Sequence, residues 1–252
     1  QVNAQDTLFN SNKDTETDWE KSVVKAVGYG VAPSYLKNNA QAKILAREAA
    51  ITMAQRRLLE TIKGVQIDSA QTVKNAQIQS DVIDKRVSGV IKGAQIIKEV
   101  QPADNVYKVI MKVKFYGKNG VMKAIFPKLD SKAEQGNDNS MITNQNNQSA
   151  NNYQNNNSQN NSSYNNSATT TSQNYTGIII NTLNIDAEPA LAPKIYNSNG
   201  RLIYGMSMIN SNSVMTEGIV GYSRSLNGAK VNPRIGDNPL IINAQEIKGE
   251  YK

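Results

Sequence analysis

The sequence predicts an α+β fold: a long helix packed on a mostly antiparallel sheet, an Asn-rich linker, then a second, smaller, mainly β domain. Three observations carry this. Residues 39–63 sustain a helical period, and residues 106–116 alternate as a strand with one buried face does. Residues 134–174 form a low-complexity Asn/Gln/Ser/Thr tract between two regions that carry apolar patterns. The expected organisation is therefore a mobile lead-in at 1–18, an α+β domain at 19–132, a linker at 133–174 and a mainly β domain at 175–252.

The lead-in is polar and acidic, with little to bury. From Trp19 the character changes. Val23, Val24, Ala26 and Val27 predict a strand ending in a turn at Gly28-Tyr29-Gly30, ahead of Pro33. That GxG lacks the third glycine of a dinucleotide fingerprint, and Pro33 stands where the helix of such a motif would open, so a tight turn is the reading. In the helix at 39–63, Ala40, Ile44, Ile51, Leu58 and Ile62 form one stripe at spacings of four and seven. Ile44, Ile51, Leu58 and Ile62 are the expected core and assembly residues, packed against Val109, Met111, Val113 and Phe115. A second flank carries Ala42, Leu45, Ala46, Ala49, Ala50 and Met53. Asn39 is the expected N-cap, and Gly64 the expected left-handed stop.

Val65 to Asp68 reads as a short strand, residues 70–80 as a polar connector, and Asp81 as the cap of a second helix closed by Gly93. Residues 94–100 and 106–116 flank a turn-rich loop at 101–105 and predict a hairpin. In its second strand Lys108, Lys112 and Lys114 face away from the core, with Ile110 among them, as a wet cationic face. A short helix follows at 121–126, stopped by Pro127. Beyond the tract, residues 176–185 predict a buried strand, and 194–196 with 201–204 a hairpin about Asn197-Ser198-Asn199-Gly200. Residues 214–226 fit either a helix or a strand, and 240–244 a final strand. For the tract itself, too few apolar groups to offset ordering entropy favour a linker over Asn ladders between chains.

Composition excludes several chemistries. The 252 residues contain no cysteine and no histidine. Disulfides, thiolate or imidazole metal sites and His-based catalytic triads are therefore closed to this sequence. Opening on Gln1 rather than Met, the chain is expected to be a processed form. The net charge of +7 sits in one place: residues 19–132 hold 20 Lys+Arg against 9 Asp+Glu. Such a surface attracts anionic partners or simply aids solubility. Asp186 and Glu188 near Pro189, and Asp237 beside Asn238-Pro239, read as turn residues, without the alternating oxygen ligands of a calcium loop. Arg56, Arg57 and Glu60 read as a solvated or interface patch with a helical ion pair.

Four blocks carry a family resemblance: VGYGVAP at 27–33, AQAKILAREAAITMAQRRLLETIKGVQIDS at 40–69, SDVIDKRVSGVIKGAQII at 80–97 and VYKVIMKVKFYGKNGV at 106–121. In this order and spacing, residues 19–128 resemble the family of twenty-kilodalton outer-membrane lipoproteins and the N-terminal domain of flagellar outer-ring assembly proteins. The segments TGIIINTLNIDAEPALAPKIYNSNGRLIYG and RIGDNPLIINA resemble a C-terminal extension on longer relatives. The motif positions are glycines, alanines and aliphatics, so the resemblance implies a fold, an extracytoplasmic setting at periplasm, outer membrane or cell surface, and flagellar or surface assemblies. The sequence departs from the family in lacking cysteine and in carrying a large C-terminal region.

The expected function is a non-enzymatic structural protein that self-assembles, its partner being another copy, with outer-membrane or cell-wall components as further partners. The alternative is a binding module whose Lys108, Lys112 and Lys114 hold an anionic ligand such as cell-wall glycan, lipopolysaccharide or nucleic acid. Nucleic acid is the least favoured of these, because basic and aromatic residues do not interleave. No residue is assigned a catalytic, cofactor-binding or metal role, and no cofactor is expected.

Overall fold

The computed structural model describes residues 14–36, 38–103, 105–127 and 174–249. The chain is α+β. A four-stranded antiparallel sheet has the order β1-β2-β6-β5, built from β1 (Thr15–Asp18), β2 (Val23–Val31), β5 (Gln95–Ala103) and β6 (Val106–Lys114). Helix α1 (Asn39–Lys63) packs across one face of it, over β2 and β6. Between α1 and β5 run β3 (Gln66–Asp68), β4 (Gln71–Thr72), α2 (Val73–Gln79) and α3 (Asp81–Lys92), and α4 (Val121–Ile125) follows β6.

The helix occupies the predicted span, but its buried face is not the predicted stripe. The buried residues are Ala42, Ala46, Ala50, Ala54, Leu58 and Ile62, spaced by four throughout. Leu58 and Ile62 share one core with Val109, Met111, Val113 and Phe115, as expected, and Ile51 packs at its margin. Ile44, however, is 59% exposed. The cause lies in β2. Gly28-Tyr29-Gly30 is no turn: the strand runs straight through it to Val31. A Cβ added to Gly28 would overlap the carbonyl oxygen of Ala50, and one added to Gly30 that of Ala46. Helix and strand backbones touch here, and at that separation an alanine fits and an isoleucine does not. The larger Leu58 and Ile62 come where β2 offers Val24 and Ala26 instead of glycine.

Other local expectations shift by small, explicable amounts. Asn38, not Asn39, caps α1, accepting from the N–H groups of Ala40 (2.9 Å) and Gln41 (3.3 Å). Gly64 ends the helix at φ −77°, right-handed rather than left-handed. Residues 70–80 hold β4 and α2, with Thr72 capping α2, so they are no plain connector. Ser80, one residue before the expected Asp81, caps α3. Residues 14–18 are not loose: β1 pairs with β2 from Thr15↔Ala26 to Asp18↔Val23. The rest of the lead-in, and all of the tract but Asn174, lie outside the described residues.

The C-terminal part contributes β7 (Gly177–Asn181), β8 (Ile195–Tyr196), β9 (Leu202–Tyr204), α5 (Ser211–Glu217), α6 (Leu226–Lys230) and β10 (Pro239–Asn243). The hairpin β8–β9 is the predicted one, and 211–217 resolves as helix. Leu191, Ala192, Val214, Met215 and Ile219 join the same core as α1 and β6. The join is also hydrogen-bonded. Leu191 and Ala192 donate their N–H groups to the carbonyls of Gln66 (2.9 Å) and Ile67 (2.7 Å), and Gly117 donates to Met215 (2.8 Å). Trp19 stacks on Phe115 at 4.7 Å, with Tyr222 edge-on at 5.2 Å.

Two predictions follow from this packing. Leu58→Ala should cost about 2–5 kcal/mol while Ile44→Ala stays within about 0.5 kcal/mol, and Gly28→Ala should exceed both or abolish folding. Urea denaturation of the three variants checks the order. The second concerns the join. Burial pushes the Tyr116 hydroxyl up to about 12 and raises Tyr222 further still. Both groups favour the native state while neutral. Their contribution is complete below about pH 10, the unfolded tyrosine value, and is lost as pH rises through about 12. Tyr222 donates to the carbonyl of Ala190 (2.7 Å) and accepts from its N–H (2.9 Å), whereas the buried Tyr116 hydroxyl has no partner among the described residues. Tyr222→Phe should then cost about 1 kcal/mol and Tyr116→Phe nothing or less, with both tyrosines titrating late in an ultraviolet absorbance titration of the wild type.

Candidate interaction surfaces

Strand register decides which side chains share the sheet face opposite α1. Alternation along β2 and β6 sends Val24, Ala26, Gly28 and Gly30 inward with Tyr107, Val109, Met111 and Val113. The outward set on those strands is Val23, Lys25, Val27, Tyr29 and Val31 with Val106, Lys108, Ile110, Lys112 and Lys114, of which Val23 and Val27 are buried. Across the β5–β6 ladder, Gln95 pairs with Lys112, Lys98 with Ile110 and Val100 with Lys108, so these too point outward.

The three predicted lysines therefore do stand together, and the structure adds two. Lys25 lies directly opposite Lys112, and Lys98 joins from β5. Sequence missed Lys25 because Gly28 and Gly30 read as a turn and hid the period of β2. It missed Lys98 because a bulge at Ile97 reverses the alternation of β5. Glu16 on β1 approaches Lys25 at 3.6 Å. Among the described residues, Lys98, Lys112 and Lys114 have no carboxylate partner, and the Lys108 ammonium lies 5.4 Å from the Tyr29 ring. Val27 and Ile110, paired across β2–β6, sit between the Lys25–Lys112 row and the Tyr29–Lys108 row.

The carboxylates on the opposite side are committed to structure. Arg47 of α1 clasps Glu99 of β5 through two bonds of 3.0 and 2.6 Å, and the Tyr107 hydroxyl donates to the same carboxylate at 3.1 Å. The Arg47 bonds hold Glu99 below the usual carboxylate range, and Glu99 in turn raises Arg47 and Tyr107. The stabilisation this clasp gives is present above the ordinary carboxylate range and is lost as pH falls through the depressed value of Glu99. Arg57 is no solvated residue: it donates to the carbonyl of Val27 at 2.7 Å and pairs with Asp14 at 2.6 Å. Glu60 pairs weakly with Lys63 at 4.0 Å. Of the turn acids, Glu188 accepts from Gln66 at 3.3 Å. Among the described residues no group of three or more Asp and Glu could hold a metal ion.

A second surface lies at the far end of the chain. β7 and β10 form a two-stranded parallel ribbon, Gly177↔Pro239 to Asn181↔Asn243. Ile179 is buried on the side of α6 and the 3₁₀ turn at Pro233–Ile235. The opposite side carries Ile178, Ile180, Leu240 and Ile242, with Ile178 58% exposed and Ile242 39% exposed. Residues 177–252, which include both strands, match a family model described as the second domain of Treponema pallidum Tp0624. No curated protein matches the chain.

Directly opposed like charges repel across a strand pair. Lys112→Gln should therefore leave the fold intact and stabilise it by a few tenths of a kcal/mol at low salt, the gain vanishing near about 1 M salt. Thermal melts across a salt series read this directly.

Proposed function

We propose that this is a non-enzymatic, extracytoplasmic structural protein that self-assembles into a ring, tube or filament at the outer membrane or cell surface. The β7–β10 ribbon is the observation that carries the reading. Parallel strands occur almost always in sheets covered on both faces, and two strands alone are marginal in water. Here one face exposes a row of isoleucines, and among the described residues each strand has one edge without a neighbour. A second copy supplies what such a ribbon lacks, either a strand on the edge or an apolar face on the isoleucines. A contact between two different patches, repeated, closes a ring or grows a filament. The resemblance of residues 19–128 to outer-membrane lipoproteins supports an extracytoplasmic setting for such assembly.

A second reading is favoured by the five-lysine face. In it, the sheet holds an anionic ligand such as cell-wall glycan, lipopolysaccharide or nucleic acid, and self-association is incidental.

Sedimentation velocity of the full chain over a wide concentration range tests the first reading. The wild type should form larger species as concentration rises, and Ile178→Lys with Ile242→Lys should hold it monomeric with an unchanged circular dichroism spectrum. A wild type that stays monomeric at every concentration overturns the proposal, as does a double variant that assembles like wild type.

A further inference from the structure

We propose that the outer face of the four-stranded sheet docks on an anionic lipid bilayer. This rests on the second reading above and names its ligand class. The face is divided along its length. At one end Lys25, Lys112, Lys114 and Lys98 form a cationic field. At the other, one row holds Tyr29, Lys108 and Val100, and the next holds Val31 and Val106. Val31 is 64% exposed, and Tyr29 and Val100 are also exposed. Lys112 and Lys114 stand about 7 Å apart along β6, Lys108 lies about 13 Å from Lys112 on the same strand, and Lys25 is about 5 Å across from Lys112, so the sheet presents charge over an area rather than in a cleft.

The chemistry of the cations points the same way. None of the four strands contains arginine, so the face has no planar fork for two-point recognition of a particular phosphate or carboxylate. Lysines on flexible stems suit a diffuse layer of headgroup charge, where each adds attraction without demanding a fixed geometry. The exposed end is mainly aliphatic with one tyrosine. Strand recognition of nucleic acid needs successive rings for stacking, whereas valines with a tyrosine suit insertion at a membrane–water interface. Docking of this kind uses a face and no span. Consistent with that, no described helix is long and apolar enough to cross a membrane.

The test is co-sedimentation of the full chain with phosphatidylcholine vesicles, pure or mixed roughly two to one with phosphatidylglycerol, alongside binding to immobilised heparin. The wild type should bind the mixed vesicles and not the pure ones. Affinity should fall at least roughly tenfold between about 50 and about 500 mM salt. Lys108→Gln/Lys112→Gln/Lys114→Gln should lose vesicle and heparin binding together while melting no lower than wild type. Val31→Ser/Val100→Ser should lose vesicle binding roughly tenfold and keep heparin binding. Equal binding to both vesicle types, or wild-type vesicle binding by the triple lysine variant, overturns the proposal. Heparin binding lost in the triple variant, with no vesicle binding by wild type, overturns the bilayer and leaves the anionic-ligand reading standing. Absence of both kinds of binding removes the two together.

Discussion

The contact on which this structure depends is the one between the backbones of α1 and β2. Gly28 and Gly30 have no side chain to hold the helix away, and Ala46, Ala50 and Ala54 come down onto them. Each would-be Cβ at those glycines falls on a helix carbonyl, so the distance is set by peptide groups, which cannot yield. Two polar clasps fix the helix across the sheet. Arg57 reaches β2 and Asp14 on one flank, and on the other Arg47 reaches Glu99, which also accepts from Tyr107. The helix spends its width on one face of the sheet, and the other is left to short-range side-chain chemistry.

That uncovered face shows what the packing costs and permits. Among the described residues, five lysines share it with one nearby carboxylate, Glu16, and two of them stand directly opposed. A sheet face selected for stability alone would interleave both signs, because opposed like charges destabilise a strand pair. Here Val27 and Ile110 lie between the charged rows, so burial beneath lysine stems offsets part of the repulsion while the ammonium groups stay in water.

How far the sequence could be read depended on whether period or proximity set each feature. The long helix and the β5–β6 hairpin were legible because their periods run over many residues. The burial of the helix was not, because hydrophobic size points to Ile44 while backbone proximity selects Ala46 and Ala50. Glycine in a strand pattern signals either a turn or a close approach, and Gly28 and Gly30 proved to be the second. Lys108, Lys112 and Lys114 were found by alternation on a single strand. Lys25 and Lys98 belong to the same face through register and a bulge, which no single-strand pattern contains. The parallel pairing of β7 with β10 joins residues some 62 positions apart, beyond any local signal.

The linker tract invites the view that the two halves of the chain are independent, but the buried residues argue otherwise. Leu191, Ala192, Val214, Met215 and Ile219 enter a core whose other members include Leu58, Ile67, Phe115 and Met122. Gly218, at φ +80°, lies so close to the Tyr116 ring that any Cβ there would strike it. Separating the two halves would return at least three large apolar side chains to water, at about 1.5–3 kcal/mol each. It would also strip β3 of the bonds from Leu191 and Ala192. β7 and β10 contribute no residue to this shared core, and their isoleucine row is exposed. The proposed self-association therefore rests on the exposed ribbon and not on the core.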